Sequence, residues 1–125
     1  MRLLLDTHVI LWWLDDSKRL SAQARRWIEN PENTIFISAA SIWEIRIKQA
    51  LGKVRLPNSF QQALEQSGFE MLTVNAAHAH AIGRLPPLHR DPFDRMLLAQ
   101  ATVEGLTLVT ADDEVAAYGP PARRT

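Results

Sequence analysis

The chain has 125 residues, 46% of them hydrophobic and 22% charged, a balance that fits one folded domain and excludes a disordered tail. Roughly two-thirds of its unfolded surface can be buried at this size. The absence of cysteine excludes disulfides, iron–sulfur clusters and thiolate zinc sites. Lys and Arg number 14, as do Asp and Glu, so the zero net charge argues neither for nor against a nucleic-acid partner. Lysine is confined to Lys18, Lys48 and Lys53. The remaining basic residues are Arg, whose planar fork suits phosphate and carboxylate, a mild pointer to an anionic partner.

Arg2 to Leu5 reads as a buried strand and Thr7 to Leu14 as the helix after it. The apolar run Val9 to Leu14 is too short to span a bilayer, and no export signal is evident, so a cytoplasmic protein with no membrane contact is expected. Ser21 to Asn30 reads as a helix capped by Ser21 and stopped by Pro31, and Thr34 to Ser38 as a strand. Helices are expected over Ala39 to Leu51 and Ser59 to Ser67, each followed by glycine. Phe69 to Val74 reads as a strand, Asn75 to Ile82 as a helix and Leu85 to Arg90 as an extended loop. Asp91 at the N-cap, Pro92 at the first position and Gly105 past the end bracket a strong helix over Pro92 to Glu104. A strand over Leu106 to Thr110 and a short helix over Asp113 to Tyr118 follow, and the tail after about residue 118 reads as loosely tied.

Strands alternating with helices imply one α/β domain over residues 1–125, with a mostly parallel sheet covered on both faces. Ligand sites in such sheets lie beyond the carboxyl ends of the strands. Asp6 directly follows the first strand, and Asp112 comes two residues after the last. Glu44 lies early in the helix after the Thr34–Ser38 strand, and Asp94 lies in the first turn of the Pro92 helix. Four carboxylates on one edge repel one another unless a cation compensates them. Mg²⁺ suits such oxygens, with Mn²⁺ as the second choice, and either can activate water and neutralise a phosphate in flight. The chemistry suggested is metal-assisted phosphodiester hydrolysis.

Each acid also has a purely structural reading. Asp6 can cap the first helix, Glu44 can close a capping box from Ser41 or pair with Lys48, and Asp112 or Asp113 can cap the last helix. Asp94 at the third helical position favours the helix dipole whatever it binds. The joint placement on one edge is what weighs against these separate readings.

Four segments, Leu5-Asp6-Thr7-His8, Ser41-Ile-Trp-Glu44, Asp91-Pro-Phe-Asp94-Arg-Met-Leu-Leu-Ala-Gln-Ala101 and Leu108-Val-Thr-Ala-Asp112, occur in the order found in PIN domains. From Met1 to about Tyr118 the chain resembles, more narrowly, the VapC-type toxins of bacterial toxin–antitoxin pairs. The resemblance implies a three-layer α/β/α fold and a Mg²⁺-dependent endoribonuclease whose acids are Asp6, Glu44, Asp94 and Asp112. It also implies RNA products with a 5′-phosphate and a 3′-hydroxyl, a cognate VapB-like antitoxin that obstructs the acidic site, and a homodimer. Asp6 and Asp94 are expected as the main metal ligands, with Glu44 and Asp112 completing the ring and orienting water. Thr7 and Thr110 are expected to fix neighbouring carboxylates, and Asp91 to cap its helix, with a water-mediated metal contact as its second use. His8 stands where the family often has Asn, and packing or capping is its expected role.

Arg84, Arg90 and Arg95 flank the acidic edge as candidate phosphate contacts. His78 and His80, two apart on a helix, point to different sides and are expected to be structural. Of Trp12 and Trp13, one is expected in the core and the other, with Trp27 or Trp43, in a protein-contact surface. A receiver-type signalling domain is disfavoured by the lack of any Lys beyond Lys53, and a haloacid-dehalogenase phosphatase by His8 in place of its second Asp. The remaining alternative is a catalytically idle, PIN-like interaction module.

Overall fold

The computed structural model describes residues 1–125. Five parallel strands, β1 (Arg2–Leu5), β2 (Thr34–Ser38), β3 (Glu70–Leu72), β4 (Thr107–Thr110) and β5 (Ala122–Arg124), form one sheet in the order β3-β2-β1-β4-β5. Between them run α1 (Thr7–Leu14), α2 (Ala22–Glu29), α3 (Ala39–Ala50), α4 (Phe60–Gln66), α5 (Ala76–Ile82), α6 (Pro92–Glu104) and α7 (Asp113–Ala116). The expected α/β architecture is therefore met, with helices on both faces of a parallel sheet.

Alternation along the strands divides the core into two layers. Leu3 and Leu5 of β1 face Val9, Ile10, Ala24, Ile28, Ile45, Phe60 and Leu64, which come from α1 to α4. Leu4, between them, faces the other way, onto Leu97, Leu98 and Ala101 of α6, Leu108 of β4 and Val115 of α7. Both faces of β1 are thus dry, which explains its unbroken apolar run.

The tail is a correction. Ala122–Arg124 pairs in parallel with β4 instead of lying loose, and Thr125 N–H donates to the Thr110 carbonyl at 2.8 Å. Gly119 takes a φ of +69° to turn the chain back, and Arg123 stacks over the Trp27 ring at 4.5 Å. Two prolines and no β-branched residue before Thr125 hide this strand from a propensity reading. The tryptophan expectation also changes. Trp12 and Trp13 are both half-buried against the larger core layer, whereas Trp43 is 64% exposed.

The chain leaves β1 toward β2 on one side and places β4 on the other, so the sheet switches direction between β1 and β4. A crevice opens there at the carboxyl ends of the strands. Leu4→Ala and Leu5→Ala each remove a fully buried side chain from a different layer. Each is expected to cost roughly 2–5 kcal/mol in urea unfolding. A loss below 1 kcal/mol (roughly) at either position would contradict the two-layer core.

Candidate active site

Asp6 ends β1 and occupies the N-cap position of α1, yet its side chain makes no capping hydrogen bond. It is 3% exposed and accepts a hydrogen bond from Thr110 Oγ1 at 2.6 Å, across the β1–β4 switch. Thr110 Oγ1 accepts in turn from the Asp112 N–H at 3.0 Å, so the hydroxyl links the two acids' positions. The Asp112 carboxylate caps α7 by accepting from Glu114 N–H at 2.8 Å, which still leaves it facing the crevice. Asp6 and Asp112, with His8, Trp12 and Ala111, line a cavity of about 210 Å³. His8 is exposed at its rim, its ring 5.9 Å from that of Trp12.

Asp94 enters from the first turn of α6, where Pro92 at N1 and the Asp91 cap start the helix. Asp91 Oδ1 accepts from the N–H groups of Phe93 and Asp94, both at 2.9 Å, which fixes the register of the turn that carries Asp94. Asp91 Oδ1 is thus taken up by the helix end. The Asp94 side chain is 14% exposed, and its Oδ2 lies 2.7 Å from His89 Nε2.

Glu44 lies on α3, whose N-cap is Ser38 instead of Ser41. Its Oε1 accepts from Thr7 Oγ1 at 2.7 Å, and its Oε2 holds Lys48 Nζ at 2.6 Å. The expected pairing with Lys48 is present, and it stabilises a carboxylate that is 4% exposed. Both Glu44 oxygens are thus engaged, one by Thr7 and one by Lys48. The Glu44 charge still reaches Asp94.

Burial above all raises the Asp94 carboxyl to about 7, and the neighbouring charges of Asp6, Asp91 and Glu44 add to the rise against the His89 hydrogen bond. Burial likewise raises Asp6, opposed by the Thr110 hydroxyl and by His8, with Asp112 adding repulsion. Burial works against charge on Lys48 and His89 too. Glu44 for the first and Asp94 for the second more than offset it, and both bases are raised.

These directions describe a site short of positive charge. Oxygen donors from Asp6, Asp94 and Asp112, two of them desolvated against their own ionisation, suit a hard divalent cation, which relieves the repulsion that raises them. One atom each from His89, Asp94 and Asp112 lies within 4.8 Å of the others, close enough to share an ion.

Sequence reasoning missed His89 and Glu114. Glu114 Oε2 lies 2.6 Å from His89 Nδ1, so the imidazole bridges two carboxylates. The one available signal is a His two residues before a helix-capping Asp, and it is weak. Arg95 is a correction. Its guanidinium donates to the carbonyls of Pro86 and Ile82 at 3.1 and 3.2 Å and to Tyr118 Oη at 3.2 Å, so its donors hold the 83–90 loop rather than a phosphate. Arg84 and Arg90 on that loop are exposed. His78 is structural as expected, accepting from Asn75 N–H in a capping box and donating from Nε2 to Glu104 at 2.9 Å.

Residues 3–119 match the PIN domain family. The chain belongs to the PIN domain family. Ribonuclease VapC22 of Mycobacterium tuberculosis is 29% identical over 121 residues, which cover 94% of this chain and 92% of that one. Among solved structures, VapBC2 of Rickettsia felis bound to a promoter DNA fragment superposes with a TM-score of 0.73 at 20% identity, covering 100% of this chain and 99% of that one. VapBC-1 of nontypeable Haemophilus influenzae gives 0.72 at 18% identity, covering 100% and 97%. The PIN fold expected from the four motifs is met, and the similar proteins are VapC-type, as the resemblance implied. No helix is long and apolar enough to cross a membrane.

The raised carboxyls give a pH dependence with a definite sign. An acid raised on folding favours the folded state while protonated, so its contribution is complete below the ordinary value of 3.8 and declines as pH rises through about 7. A raised His89 acts in the same direction, its contribution being lost as pH rises above 6.5 and through its folded value. In chelator, the melting temperature is expected to fall between about pH 5 and about pH 8. Asp94→Asn should flatten that fall, melt higher than wild type at the alkaline end, and gain less from added Mg²⁺. A flat wild-type profile, or equal metal-induced gains in the two proteins, would contradict a shared acidic cation site.

Proposed function

We propose that this PIN domain is a metal-dependent endoribonuclease of the VapC toxin type, restrained by a cognate VapB-like antitoxin. The observation that carries the reading is the clustering of three aspartates near the β1–β4 switch: Asp6 and Asp112 line one cavity, Asp112 and Asp94 bring oxygens within 4.8 Å, and the Asp6 charge helps raise the carboxyl of Asp94 to about 7. The whole-length likeness to Ribonuclease VapC22 and the VapBC complexes among the similar structures support it.

Asp6, Asp94 and Asp112 would hold the cation, Mg²⁺ or Mn²⁺, and Glu44 would complete the negative ring from beside them. When bound, such an ion supplies an activated water and neutralises charge on the scissile phosphate. Thr110 holds the Asp6 carboxylate in one rotamer and Thr7 does the same for Glu44, so that neither has to be reoriented when substrate arrives. Lys48 supplies positive charge beside Glu44, and Asp91 keeps the turn that presents Asp94. Arg84 and Arg90, exposed on the loop beside the crevice, are the proposed RNA phosphate contacts.

The proposed antitoxin has a surface to cover. A cleft of about 440 Å³ lined by Trp43, Val74, Ile82, Phe93 and Met96 opens beside Asp94, with Trp43 packed edge-on to Phe93. An apolar segment laid there by the antitoxin would bring its flanking residues over the acids. A second exposed apolar pair, Ile47 and Leu51, lies at helical spacing along and just past α3, and supports a homodimer that buries it. We place the protein in the cytoplasm.

Purified protein free of antitoxin should cut members of an RNA panel with Mg²⁺ or Mn²⁺ and not in EDTA, leaving 5′-phosphate and 3′-hydroxyl ends. Asp6→Asn and Asp94→Asn should each lower the rate by roughly 100-fold or more, since even residues that merely orient metal ligands cost up to about that much. Full activity in EDTA, or in either variant, would overturn the proposal. A folded protein that neither cuts RNA nor binds metal would favour the interaction-module reading instead.

A further inference from the structure

His89 belongs to none of the four motifs, yet its placement is the most heavily constrained in the 85–90 loop. Its N–H is fixed by Tyr118 Oη at 3.0 Å, and its carbonyl lies 3.4 Å from both Tyr118 Oη and Arg95 Nη1. Arg95 and Tyr118 thus latch the loop with the imidazole turned inward, 15% exposed. Nδ1 meets Glu114 Oε2 at 2.6 Å, and Nε2 meets Asp94 Oδ2 at 2.7 Å. Asp112 brings an oxygen within 4.8 Å of a His89 ring nitrogen and of an Asp94 carboxylate oxygen.

A carboxylate on one imidazole nitrogen commonly fixes the tautomer and ring angle of a histidine whose other nitrogen binds metal. We propose that His89 Nε2 is a nitrogen ligand of the divalent cation held by Asp94 and Asp112, that Glu114 is the carboxylate that orients it, and that the site consequently prefers Mn²⁺ to Mg²⁺. The proposal rests on the metal-nuclease reading for the presence of a cation, and adds a ligand and an ion preference to it. On coordination, the proton between Nε2 and Asp94 Oδ2 would leave to solvent, while Nδ1–H would go on donating to Glu114. An all-oxygen set suits Mg²⁺, whose geometry is strict and whose waters leave reluctantly. Exchanging one oxygen for imidazole shifts affinity toward transition ions.

The deciding measurement is pulsed electron paramagnetic resonance of Mn²⁺ bound to the full chain, together with Mn²⁺ titration and competition by Mg²⁺. Wild type should show ¹⁴N coupling of a directly bound imidazole. His89→Gln should lose that coupling, bind Mn²⁺ roughly 10-fold more weakly or worse, and lose part of its preference over Mg²⁺. Glu114→Gln should keep the coupling and weaken Mn²⁺ binding, the behaviour of a positioning residue. Bound Mn²⁺ that is lost in Asp94→Asn but shows no nitrogen coupling would leave the acidic metal site standing and overturn the role of His89. A coupling that survives in His89→Gln and disappears in His8→Gln would also overturn it, by assigning the nitrogen to His8. Wild type that binds no Mn²⁺ at all would remove both this proposal and the metal reading beneath it.

Discussion

Asp6 is a carboxylate almost wholly withdrawn from water at the end of the central strand, and much of the molecule is arranged around it. Burying a charge is unfavourable unless it is hydrogen-bonded or paired. The parallel sheet makes the burial unavoidable, because β1 is covered on both faces and its carboxyl end opens only at the switch toward β4. Thr110 at the end of β4 supplies a hydroxyl at 2.6 Å, and β5, pairing outside β4, holds the Thr110 carbonyl through Thr125. The edge strand formed by the tail therefore supports the residue that steadies the innermost acid.

Two bases pair directly with acids of this edge, while His8 acts on Asp6 through its charge alone. Lys48 serves Glu44 from one helical turn away, and His89 serves Asp94 from the loop before α6. Neither offsets Asp6 and Asp94 together, and the carboxyl of Asp94 stays raised to about 7 with the Asp6 charge as a contributor. The deficit is local, since the chain as a whole is neutral. Strain of this kind, held by residues that a folded protein could dispense with, is expected where function demands it.

Much of the frame is legible in the residues themselves. Asp91, Pro92 and Gly105 delimit α6 by their conformational and hydrogen-bonding preferences, and the observed helix agrees with them to the residue. The strand-end rule places Asp6, Asp94 and Asp112 near one another without any side-chain coordinates. Capping preferences are less discriminating. They suggest a cap for Asp6, which sits at the N-cap without making the bond, and for Asp112, which does make it. Composition cannot separate those outcomes, because each depends on whether a neighbour such as Thr110 competes for the carboxylate. His89 and Glu114 escape for a different reason. Both lie outside the apolar periodicities, and they meet only because Tyr118 and Arg95 fold the loop onto α7. Arg95 is misread by the same blindness, its side chain being turned inward onto carbonyls that the sequence does not place.

That Asp6, Asp94 and Asp112 form one cation site is the claim on which the rest depends. A crystal of the protein soaked in Mn²⁺, with anomalous diffraction recorded at the manganese edge, tests it most directly. A shared site should give a peak between these three carboxylates. Saturating Mn²⁺ with no peak there, or ordered ions only on the solvated surface, would contradict it.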